Sequence, residues 1–100
     1  MKVRRSDLTY KHYSTKAQQG DNPQLRRIDA RFFDRHEEYE VINMIEHVLT
    51  EIGEDKDYIN MIETFITELP SDIRSRENVY NWLVKRSKRM ISMLAQWSYQ

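Results

Sequence analysis

Residues 41–70 read VINMIEHVLTEIGEDKDYINMIETFITELP, and the pentapeptide Ile-Asn-Met-Ile-Glu occurs in them twice, beginning at Ile42 and again at Ile59. Three residues after each copy comes Thr-Glu. At about 100° per residue, Val41, Ile42, Met44, Ile45, Val48, Leu49 and Ile52 fall within one apolar arc of roughly 160°. Asn43, Glu46, His47 and Thr50 take the opposite side. In the second copy, Tyr58, Ile59, Met61, Ile62, Phe65, Ile66 and Leu69 form the same arc. An unbroken helix would set the second stripe roughly 100° out of line with the first, because the copies are offset by about 17 residues. The chain must therefore break near Gly53, the residue type that ends helices most readily. A connection this short makes the two helices antiparallel neighbours.

The boundaries follow from local chemistry. Asp34 followed by Glu37 has the spacing of a capping box and predicts the start of the first helix. Asp55 is the expected cap of the second, and Pro70 closes it, since the residue before proline is pushed away from helical geometry. A third, longer helix is expected to begin near Ser71 or Ser75. Its main stripe is Val79, Trp82, Leu83, Met90, Met93, Leu94 and Trp97, widened by Tyr80, Val84 and Ile91. The prediction is an all-α bundle: an antiparallel hairpin (about 35–52 and 56–69) packed on a C-terminal helix (about 72–97). Residues 23–100 form the helical domain, and residues 1–22 are a polar, basic amino-terminal arm, expected to be flexible or loosely docked. Asn22-Pro23 with Leu25, Ile28 and Phe32 predicts one or two further helical turns.

Matching outward positions are the less expected part of the repeat. Asn43/Asn60, Glu46/Glu63, Thr50/Thr67 and Glu51/Glu68 agree at the 17-residue offset, and burial of apolar faces does not require it. Two copies are too few for a solenoid. Packing explains the apolar matches; the polar ones fit a small duplication, two equivalent contact surfaces, or coincidence in a helix-friendly composition.

With 100 residues the chain makes one domain, large enough for a modest core. It has no cysteine, which excludes disulfides, thiolate catalysis and Cys-based zinc sites. No segment has the apolar length to span a membrane, and no apolar leader follows Met1, so the expectation is a cytoplasmic protein without membrane contact. The formal net charge of +0 conceals a division. Residues 1–36 hold nine Lys/Arg against four acids, residues 37–69 one against ten, and residues 70–100 six against two. Basic ends folding back on an acidic middle would cancel that field internally; otherwise one sign faces a partner.

Chemistry-bearing groupings are sparse. His36 and Glu40 stand four apart on the first helix, but His47 is too far along to complete a metal site. There is no glycine-rich phosphate loop, as Gly20 and Gly53 are the only glycines, and no local Ser–His–acid grouping. No enzymatic activity, metal or cofactor is expected. The leading expectation is a protein–protein interaction or accessory module that self-associates through the third helix. That helix would exceed about 30 Å against roughly 20 Å for each hairpin helix, leaving surplus apolar surface. Trp82, Arg86, Met90, Met93 and Trp97 are the candidate partner surface, with Arg86 interrupting the apolar stripe and expected to pair with an acid of the hairpin or of another subunit. The alternative is a nucleic-acid-associated or regulatory protein. Its contacts would be Arg4, Arg5, Tyr10, Lys11 and Tyr13 on the arm, and Lys85, Lys88 and Arg89 on the third helix.

Overall fold

The structure, a computed structural model, describes residues 3–10, 13, 32–54 and 56–98, and for residues 97 and 98 the backbone alone. Three α-helices make up the body: α1 (Glu38–Ile52), α2 (Ile59–Thr67) and α3 (Arg76–Ser98). Single 3₁₀ turns lie at Arg5–Asp7 and Lys56–Tyr58, and among the described residues there is no strand. The predicted helical hairpin packed on a longer C-terminal helix is the architecture observed.

The reversal falls at Gly53. Its backbone adopts φ 70° and ψ 29°, the left-handed conformation that an L side chain resists. The Glu54 N–H then donates back to Leu49 O at 3.2 Å, closing the helix end as a Schellman turn does. The expected cap Asp55 lies outside the described residues. Upstream, α1 starts later than Asp34 predicts. Asp34 Oδ1 accepts the His36 N–H at 2.9 Å and Asp34 O accepts the Glu37 N–H at 3.2 Å. An Asp side chain bonded two residues ahead makes a turn in place of a helix start. Helix α2 ends in tightened three-residue bonds, from Glu68 N–H to Phe65 O and from Leu69 N–H to Ile66 O, just before Pro70.

Helix α3 begins at Arg76, so that of the two expected starts, Ser71 and Ser75, the later one holds. Ile73 N–H turns back to Pro70 O, and Arg74 O accepts the Phe33 N–H at 2.7 Å in a bridge between Phe32 and Ser75. Those backbone groups are thereby committed to a turn and a cross-chain bond. Ser75 then caps the helix, its Oγ accepting the Asn78 N–H at 3.1 Å. Because the same bridge holds the chain just before α1 beside the chain just before α3, the two helices start side by side. Arg76 donates to Glu40 Oε1 through Nε (3.1 Å) and Nη2 (3.0 Å), and both side chains are largely buried.

The core joins Val41, Met44, Ile45, Val48 and Leu49 of α1 to Ile59, Ile62, Phe65 and Ile66 of α2, with Leu69, Val79 and Leu83. Along α3 the buried seam is Arg76, Val79, Leu83 and Ser87, with Met90 partly covered behind it. It is turned toward Ser87 relative to the expected stripe, which placed Trp82 and Arg86 nearer the centre. Ser87 is fully buried and its hydroxyl has no hydrogen-bond partner among the described residues.

Two residues of the arm belong to this core. Val3 and Leu8 are buried among the hairpin residues. The 3₁₀ turn between them is closed by Asp7, which accepts the Arg4 N–H at 2.9 Å. That hydrogen bond, with Lys56 beside it, holds the Asp7 carboxyl below its ordinary pKa. The short helix expected around Leu25 and Ile28 lies outside the described residues; Phe32 is 70% exposed.

Candidate interaction surface

The outer face of α3 beyond the hairpin gathers most of the residues expected to meet a partner. Trp82, Lys85, Arg86, Arg89 and Met93 line one open groove of about 400 Å³. Arg86 is the organising side chain. Its guanidinium sits 4.9 Å from the centre of the Phe65 ring and 5.2 Å from that of Trp82, and it donates to Glu68 Oε1 at 2.9 Å. A cation held by two aromatic faces and one carboxylate is fixed in place while its stem covers apolar surface. Arg86 thus pairs with the hairpin of its own chain and remains about half exposed, its side chain at 46%.

Lys85 and Arg89, four apart on α3, are exposed and make no ion pair among the described residues. Lys88 sits 3.8 Å from Glu51, which also accepts the Tyr80 hydroxyl at 3.1 Å. Burial and that carboxylate raise the Tyr80 pKa. Further along, Met93 is 47% exposed and Leu94 52%. Met90 packs against the core, and the Trp97 side chain lies outside what is described. The sequence carries a signal for this surface: residues 90–100 contain no charged side chain. An uncharged helical end with its side chains in water is unusual on a monomer's surface.

Two of the arm's nucleic-acid candidates are tied to the hairpin. Arg5 Nε donates to the buried Glu38 carboxylate at 2.6 Å, and Tyr13 Oη donates to Glu63 Oε2 at 2.6 Å. Burial and the Glu63 charge push the Tyr13 phenol well above its ordinary pKa of 10.0. Tyr10 is half-buried, Arg4 is exposed, and Lys11 lies outside the described residues. The structure therefore brings Lys85 and Arg89 together with Trp82 but ties Arg5 and Tyr13 to the hairpin.

The repeat also acquires a use. Glu63 is completely buried, and its two oxygens accept three donors from the arm. These are Thr9 N–H at 2.8 Å, Tyr10 N–H at 3.1 Å and the Tyr13 hydroxyl. Its counterpart Glu46, 17 positions earlier, accepts the Val3 N–H at 2.6 Å. Asn60, from the same matched set, accepts the Thr9 hydroxyl at 2.7 Å. A buried carboxylate is tolerable only when its lone pairs are filled, and here the arm fills them. Of the matched polar pairs, Glu46 and Glu63 are thus two stations of one clamp, while Glu51 and Glu68 pair with α3.

A second cavity of about 420 Å³ is lined by Tyr13, Arg35, His36, Ile66, Thr67, Leu69 and Ser71. Its arginine reaches Ile66 O at 3.5 Å, serving the carbonyl end of α2. The His36–Glu40 pair does not assemble a metal site: Glu40 is occupied by Arg76, and among the described residues no three metal-ligating side chains gather. Among the described residues no helix is long and apolar enough to cross a membrane. Comparison with known protein families, curated proteins and solved structures gives no match.

Proposed function

We propose that this chain is a non-enzymatic helical interaction module that self-associates through the distal part of α3. The observation that supports this is the half-exposed pair Met93 and Leu94, on an uncharged helix end that extends past the hairpin's cover. A second copy suits this surface better than a charged partner, because the face is apolar and a two-fold axis would set it against itself. Electrostatics fixes the orientation. Antiparallel tails crossing between residues 93 and 94 would hold the two Arg89 side chains roughly 13 Å apart along the axis. That exceeds the Debye length of about 8 Å at physiological salt. A parallel pair would set them face to face.

Sedimentation velocity from low micromolar to submillimolar concentration tests the reading. A reversible dimer is expected, weakened in M93A/L94A. Burying the exposed half of each side chain is worth about 1 kcal/mol, so four of them contribute about 4 kcal/mol. Their truncation should raise Kd by roughly two to three orders of magnitude. A monomer at every concentration would refute it.

Nucleic-acid binding is the second reading, favoured by Lys85 and Arg89, exposed beside Trp82 and without an ion pair among the described residues. It predicts salt-dependent binding lost in K85Q/R89Q. Binding unchanged by those substitutions would remove it.

A further inference from the structure

Helix α2 ends against the cavity of about 420 Å³, which falls within the range of roughly 300–1,000 Å³ that small-molecule sites occupy. The buried Ile66 and Leu69 give it apolar walls, with Tyr13 of the arm beside them. Its fixed charge is Arg35, which is half-buried. A guanidinium carries five N–H donors, yet among the described residues this one makes a single bond, from Nη1 to Ile66 O at 3.5 Å. That distance is the outer limit of a hydrogen bond. Three other arginines of the fold each hold a carboxylate: Arg5 has Glu38, Arg76 has Glu40 and Arg86 has Glu68. Arg35 has none, although Asp34 is its neighbour in the chain, because Asp34 spends Oδ1 on the His36 N–H. A cation drawn partly out of water with its donors unmet is completed by an anion.

We infer that this cavity binds a small monocarboxylate with a compact apolar body. The carboxylate takes two parallel N–H bonds from Arg35, the geometry that the planar guanidinium fork favours, and the Ser71 hydroxyl stands in the same lining to donate a third. The apolar body rests on Ile66 and Leu69. A single negative charge suits the site better than two, since the carbonyl end of α2 adds negative potential to the same space. The arm takes part as well. Tyr13 is held by Glu63 at 2.6 Å, so this wall of the cavity is in place only while the arm is docked. A ligand seated there therefore stabilises the docked arm. The site shares no lining residue with the α3 groove, and it stands whether or not α3 self-associates.

Amide NMR titration of the full-length chain with sodium isovalerate is the test, with isovaleramide, acetate and inorganic phosphate as comparisons. Saturable shifts are expected at Arg35, Thr67 and Ser71 with isovalerate. The amide lacks the charge and acetate lacks the apolar body, so both should bind at least severalfold more weakly. Exchange of the Thr9 and Tyr10 amides should slow at saturation. Arg35→Gln should weaken binding by about tenfold or more, and Arg35→Lys, a point charge without the fork, by less. Equal binding of isovalerate and isovaleramide would overturn the inference, as would the absence of saturation or unchanged affinity in R35Q. Phosphate binding as tightly as isovalerate would overturn the choice of a monocarboxylate. The ligand comparisons use the unaltered chain, so they decide the matter whatever R35Q does to folding. Isovalerate binding should be unchanged in M93A/L94A, which reads this site apart from α3 association.

Discussion

Replacing Glu63 with Gln changes one atom and tests the clamp directly. In the native chain Glu63 Oε1 serves the Thr9 N–H, while Oε2 serves both the Tyr10 N–H and the Tyr13 hydroxyl. A glutamine has one acceptor oxygen and an NH₂ group, so either orientation sets a donor against at least one donor of the arm. A buried donor left unsatisfied costs about 1–3 kcal/mol, and the remaining bonds lose their charge assistance. The combined loss is about 3 kcal/mol, with a ceiling: the arm releases once the penalty exceeds what docking Val3 and Leu8 contributes. For a domain of this size about 3 kcal/mol lowers Tm by on the order of 12 °C or more. Glu46→Gln is the matched comparison. It keeps an oxygen for the single Val3 N–H, so its cost should be about 1 kcal/mol or less. Thermal unfolding by circular dichroism measures the difference, and hydrogen exchange at Thr9 and Tyr10 places it on the arm. Equal Tm values for E63Q and the parent chain, with both amides still protected, would refute the clamp.

Substitutions at three further positions probe other parts of the structure. Ser87→Ala removes a buried hydroxyl without a partner from the middle of α3 and should stabilise by about 1 kcal/mol in denaturant titration; a loss would mean that the hydroxyl is satisfied in solution. Gly53→Ala should destabilise by about 1 kcal/mol, from the left-handed backbone alone because a Cβ there meets nothing within 4 Å, and Gly53→Asn should cost less. Tyr13→Phe addresses pH. A phenol whose pKa is raised on folding contributes stability in full below its unfolded value of about 10, lost as the pH rises through the folded value. The parent chain should therefore lose stability above pH 10 more steeply than Y13F; parallel profiles would count against the Tyr13–Glu63 bond.

The hairpin was legible because its determinants are side-chain identities at helical spacing: two apolar arcs of seven residues, a glycine between them and a proline after. The arm was not, for a physical reason. Glu46 and Glu63 grip main-chain N–H groups, which nearly every residue possesses, so the gripped residues carry little trace of it in their letters. The trace lies on the acceptors, as the agreement of polar positions at a 17-residue offset. The seam of α3 was misjudged because Ser87 reads as a surface residue, whereas Arg86, one position earlier, could be placed beside the acids of α2. Helix starts drifted where a side chain had two uses, as at Asp34, whose carboxylate makes a turn ahead of α1.

The grip on helix α3 falls on its base and middle. Arg76 and the Phe32–Ser75 bridge fasten its base, Leu83 and Ser87 seat its middle, and residues 92–96 are exposed. It is a cantilever, and its exposed end depends for helicity on the seated part, since so short a helix is marginal by itself. Amide exchange along the rod should quicken stepwise toward its free tip. Whatever grips that tip would slow it, so docking there announces itself twice, as added mass and as newly protected amides.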